Sequence, residues 1–223
     1  FIPDGPLRNI PLIALCEKLN NNDCQKFVVQ KDYAIVTIPG LTLTKSVTQP
    51  LWKKPRLLLG GTSHGVQELA ALKYTQNALE GIMDIYADST KLSQLTISQL
   101  KQKMQDVRPY TIIHLHTHGK FQSGSEEGSF LLTDEITKTT DVKDYGLTIN
   151  RLQDILRIGE LRHFPIELLT LSACQTAEGD DKAALGIAGS AFKSGANSVI
   201  ASLWNADEPR TTVLMRLFYE QLQ

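Results

Sequence analysis

The chain has 223 residues, with 23 Lys and Arg against 24 Asp and Glu for a formal net charge of −1; 42% of it is hydrophobic and 21% charged. That balance suits one large globular domain or two small ones, and excludes a disordered, collagenous or coiled-coil chain. No dense Lys/Arg run marks a nucleic-acid footprint and no apolar stretch approaches the ~18 residues that span a bilayer, so neither nucleic acid nor membrane is an expected partner.

The elements follow in chain order. Asp4-Gly5-Pro6-Leu7 is turn chemistry, and Pro11 with Leu12, Ile13, Ala14 and Leu15 predicts a short helix. Polar Asn20-Asn21-Asn22-Asp23 reads as a loop, while the β-branched runs Phe27–Val29 and Tyr33–Ile38 predict a hairpin ending at Pro39-Gly40. A strand is predicted over Arg56–Gly61 and a helix from Glu68 to Tyr86. Thr96-Ile97-Ser98-Gln99 has the form of a capping box opening a helix to about Val107, and Tyr110–His116 is a strand leading to Gly119. Then come a helix from Thr148 to Ile158, a strand from Ile166 to Ala173, a helix from Ala183 to Lys193 stopped by Gly195, a strand from Ser198 to Leu203 and a helix from Pro209 to Gln223. Strands alternating with crossover helices predict an α/β fold, a mostly parallel sheet with helices on both faces.

Cys16, Cys24 and Cys174 are odd in number and scattered, without a CxxC. That pattern argues against a disulfide framework or a structural zinc site and for a reducing, cytoplasmic location, with Cys16 and Cys24 as ordinary thiols. The chain opens on Phe1-Ile2-Pro3-Asp4 without a signal-peptide pattern, and Gln223 falls within a helical pattern. A piece of a longer protein is therefore expected, with the start of the domain upstream.

In open α/β sheets, sites form outside the carboxyl ends of the strands. One strand ends His114-Leu115-His116-Thr117-His118-Gly119, and the next core strand ends Ser172-Ala173-Cys174. An imidazole and a thiol brought together there are the minimum for a thiol nucleophile, since sulfur attacks as thiolate and the imidazole manages its proton. His118 is preferred because Gly119 lets the chain turn and aim a backbone N–H at a developing oxyanion, with the N–H of Cys174 as the second donor. Read from the residues alone, an apolar-flanked Cys such as Cys174 is more often an inert buried thiol than a nucleophile, and His114, His116 and His118 at strand period two form the alternative of a metal site.

These residues resemble the CHAT domain, a branch of the caspase–separase clan of cysteine proteases. The resemblance rests on His116-Thr117-His118-Gly119, on Leu171-Ser172-Ala173-Cys174-Gln175-Thr176-Ala177-Glu178-Gly179-Asp180, on Ala184-Leu185-Gly186-Ile187-Ala188-Gly189, on Ser202-Leu203-Trp204 and on the opening Pro3–Pro11. It implies a caspase-like fold over residues 1–223 and peptide-bond hydrolysis by a dyad of Cys174 as nucleophile and His118 as general acid/base, with Gly119 as oxyanion donor and no metal or cofactor. It also implies a protein substrate and a regulatory, TPR-like region outside this chain. By similarity to separase, acidic residues after Leu203-Trp204, here Asp207 and Glu208, would line a pocket for a basic side chain before the scissile bond, with Trp204 beside them. The alternative for both carboxylates is capping of the last helix, and the alternative for the whole is a catalytically silent interaction module. The loop Phe121–Gly128 is expected to rim the cleft.

Overall fold

The computed structural model describes residue 10 and residues 15–20, 23–27, 55–64, 71–120, 129–135, 146–173, 186–202 and 207–223. The expected helix at Pro11–Leu15 apart from Leu15, which is not helical, most of the expected Phe27–Ile38 hairpin and the Phe121–Gly128 loop lie outside them.

β1 (Cys16–Asn20) pairs antiparallel with β2 (Asp23–Phe27). Asn20 closes β1 and Asp23 opens β2, so the two ends of the polar run expected as a loop lie in strands. A disulfide joins Cys16 to Cys24 across this pair, with 5.7 Å between their Cα atoms. This corrects the reading of both as free thiols: a separation of eight residues looked like scatter, yet a tight reversal brings the two strands side by side. The reducing compartment inferred from unpaired cysteines loses its basis with it.

Five strands form the central sheet: β3 (Leu57–Gly61), β4 (Ser89–Lys91), β5 (Ile112–His116), β9 (Leu168–Ser172) and β10 (Ser198–Ala201). Their order is β10-β9-β5-β3-β4 and every pairing is parallel. A small antiparallel sheet of β6 (Gly119–Lys120), β7 (Phe130–Leu131) and β8 (Leu147–Thr148) follows from the end of β5. Edge strand β4 carries no apolar run and left no sequence signal.

Helices α1 (Thr75–Met83), α2 (Ile97–Met104), α3 (Ile149–Leu161), α4 (Gly186–Lys193) and α5 (Glu208–Leu222) cover both faces. Successive strand residues point to opposite faces, which splits the continuous apolar runs between two cores. Leu58, Ile113, Leu115, Leu169 and Leu171 pack with Leu100, Met104, Leu152, Ile155, Leu156 and Ala191 of α2, α3 and α4. Leu57, Leu59, Ile112 and Leu168 pack with Leu79 and Ile82 of α1 and Tyr219 of α5. Each fully buried Leu or Ile here contributes about 1.5–3 kcal/mol against exposure. The arrangement is the expected α/β class, consistent with a caspase-like fold.

Several local expectations are refined. α1 begins at Thr75, later than expected, because the Glu208 carboxylate takes the N–H groups of Lys73 at 3.1 Å and Tyr74 at 2.8 Å; Tyr74, at the cap, makes no side-chain cap bond. The capping box at α2 is half formed. Thr96 Oγ1 accepts from Gln99 N at 3.2 Å, but the Gln99 side chain turns to Ser93 instead of back to Thr96. α4 ends at Lys193 and Gly195 has φ +104°, a left-handed conformation that suits the expected glycine stop. Among the described residues no helix is long and apolar enough to cross a membrane.

Candidate functional site

The site grows from the register of β5 against β9. His114 lies opposite Thr170 and His116 opposite Ser172, so the polar residues of both strands share the face covered by α1 and α5. They form two layers. Deeper in, the Tyr219 hydroxyl is 3.0 Å from Thr170 Oγ1 and 3.3 Å from His114 Nδ1. One step toward the carboxyl ends, Ser172 Oγ is 3.2 Å from His116 Nδ1, and His116 Nε2 faces Glu208 Oε1 at 3.6 Å.

Beyond these layers the strands open into a crevice whose walls include His116, His118, Ala173, Ser202, Glu208 and Leu72. A short hydrogen-bond frame fixes the turn that carries His118. Thr62 N donates to His116 O at 3.1 Å, Thr117 N to Ser172 O at 3.2 Å and Leu132 N to His118 O at 2.8 Å. The buried Thr117 hydroxyl donates to Leu132 O at 2.7 Å. Gly61 makes room for this frame, since a Cβ on it would lie 2.7 Å from Thr75 Cγ2 and 2.8 Å from His116 O. His118 is therefore held half-buried on a fixed backbone, which suits a group that must meet a reacting atom in one geometry.

The predicted residues divide as follows. His118 lines the crevice; Gly119 follows it as the first residue of β6, paired with Leu131. Ala173 lies in the crevice wall; Cys174, the next residue in the chain, lies outside the described residues, as does Trp204. Glu208 lines the crevice from the first turn of α5. Asp207 is its N-cap, half exposed, accepting from Arg210 N at 3.1 Å and paired with the Arg210 guanidinium at 3.7 Å. Of the two carboxylates, Glu208 is the one brought to His118.

The three-histidine metal alternative fails on geometry. His114 and His116 stack with ring centroids 6.5 Å apart, and His114 is fully buried against Tyr219. Burial, reinforced by His116, holds the His114 imidazole far below its ordinary range, at about 3. Among the described residues no three His, Cys, Asp or Glu side chains converge as a metal site. Burial also lowers His116; His118 lowers it further, and Glu208 opposes the shift.

Sequence reasoning assigned no role to Ser172, Thr170 or Tyr219. The first two carried a usable signal, because polar residues at alternate positions of an otherwise apolar central strand face one side together. Tyr219 lies on a helix whose contact with β5 only the tertiary packing supplies.

No curated protein matches this chain. The CHAT domain family matches it over residues 1–223, the whole length, and the chain belongs to that family.

Proposed function

We propose that the chain is a cysteine endopeptidase of one domain that hydrolyses peptide bonds of a protein substrate through Cys174 and His118. Family membership is consistent with a caspase-like cysteine protease. The observation that carries the reading is the crevice at the carboxyl ends of the adjacent parallel strands β5 and β9, with His118 in one wall and Ala173, just before Cys174, in another. In the proposed cycle the Cys174 thiolate attacks the scissile carbonyl, and backbone N–H groups of Gly119 and Cys174 receive the oxyanion. His118 then protonates the departing amine, and water, deprotonated by His118, releases the acyl group and restores the thiol. Glu208 offers a carboxylate to a basic side chain before the scissile bond, with Asp207 and Trp204 as further substrate contacts. A TPR-like regulatory region outside this chain would control access.

The test is the alkylation rate of Cys174 by iodoacetamide, followed by mass spectrometry in the native chain and in His118→Ala. A rate at neutral pH well above that of an ordinary thiol, falling in His118→Ala, is expected. Equal rates at the level of an ordinary thiol would contradict the dyad and favour a silent module.

A further inference from the structure

The His116–Glu208 pair has no place in the dyad chemistry, yet it forms part of the crevice wall beside His118. His116 is 3% exposed, and its Nε2 has no hydrogen-bond partner among the described residues. That nitrogen faces Glu208 Oε1 at 3.6 Å, just beyond hydrogen-bond length. The ring cannot turn away freely, because Nδ1 meets Ser172 Oγ at 3.2 Å. Neither can the carboxylate, whose two oxygens accept from Lys73 N at 3.1 Å and Tyr74 N at 2.8 Å. A fixed anion therefore has beside it a fixed imidazole that either carries a positive charge or does not.

We infer that His116 is a specificity-determining residue: neutral, it leaves the Glu208 carboxylate free to pair with a basic side chain in the crevice, and protonated, it neutralises that carboxylate and excludes the basic side chain. This rests on the reading of Glu208 as a substrate contact in the proposed function.

The groups that act on His116 come from each element around it. On its own strand His114 stacks behind it, and His118 follows it in the crevice. Glu208 comes from α5, where Arg210 is occupied by Asp207. β9 presents the non-titrating Ser172, and the segment before α1 presents the backbone N–H groups of Lys73 and Tyr74 to the carboxylate. His116 lies below its ordinary 6.5, lowered by burial and by His118 against the pull of Glu208. At neutral pH the imidazole is accordingly uncharged and the carboxylate keeps its net charge; acidification protonates the imidazole and the basic preference is lost. A carboxylate alone would give no such dependence on its neighbour.

Argininamide is the probe, and the chain carries His118→Gln, which removes both turnover and the other crevice imidazole. Its affinity, measured by calorimetry between pH 5 and 8, is expected to fall about tenfold toward the acid end, and the additional substitution His116→Gln is expected to flatten most of that fall. The same chain with His116 intact supplies a second readout by NMR. Because linkage is reciprocal, saturating argininamide is expected to move the titration midpoint of the His116 ring protons downward. No binding at any pH, an unchanged slope in His116→Gln, or a midpoint indifferent to argininamide would each overturn the inference. Binding does not use Cys174, so a slope in the His118→Gln chain beside a parent that never cleaves a peptide loses the protease reading alone. A parent that cleaves while its His118→Gln variant shows no slope loses this inference alone.

Discussion

The Tyr219 hydroxyl meets His114 Nδ1 at 3.3 Å where the last helix lies against the centre of the sheet, and both side chains are fully buried. Thr170 Oγ1, at 3.0 Å, completes the cluster. A polar cluster in the apolar core is stable only while its members satisfy one another. Tyr219→Phe keeps the ring packing against Tyr86 and Phe218 but strips the hydroxyl from both partners. Chemical denaturation should show a loss of about 1–3 kcal/mol. A variant as stable as the parent would show that the cluster contributes nothing net.

His114 also links stability to pH. Its imidazole stays neutral in the folded chain down to about 3, whereas in the unfolded chain it takes up a proton near its ordinary 6.5. Between those values the unfolded state binds more protons, so stability falls as the pH is lowered through this window and is fully present above it, by up to about 1.4 kcal/mol per pH unit. Carboxylates add a slope of the same sign at the acid end, so the comparison is with His114→Gln, whose urea midpoint should vary less between pH 6.5 and 4. Identical pH profiles would contradict the assignment.

Gly61 offers a test of how closely the site depends on the strand ends. An added methyl group would press on Thr75 and on the carbonyl of His116, two residues before His118. Gly61→Ala should lower stability by about 1–3 kcal/mol and reduce peptide turnover, read as a lower melting temperature and a lower kcat/KM. Full stability and full turnover in this variant would mean that the frame around His118 yields without consequence.

The Cys16–Cys24 disulfide predicts a thiol count. Denatured without reductant, the chain should expose one titratable thiol, that of Cys174, and after reduction all three cysteines of the sequence. Three thiols before reduction would show the hairpin to be unbridged.

What the sequence made legible follows from the range over which each interaction acts. The apolar runs of β5 and β9, their polar carboxyl ends and the glycine stop after α4 are local signals, and they located the fold class and the crevice. The His116–Ser172–Glu208 contact needs the register of two strands and the approach of a helix from 36 residues further on, and no local pattern carries those. The late start of α1 has the same cause, because its orphan N–H groups are taken by Glu208 from the far end of the chain. The disulfide has no local signal, because joining Cys16 to Cys24 depends on β1 folding back against β2.

The most direct test of the central claim is cleavage of a positional-scanning library of fluorogenic peptides by the chain, by Cys174→Ala and by His118→Ala, with and without a chelator. The parent is expected to turn over peptides with a chelator present or absent, both variants to fall to background, and Arg or Lys to be preferred before the scissile bond. Turnover that survives Cys174→Ala, or that a chelator abolishes, would contradict that claim.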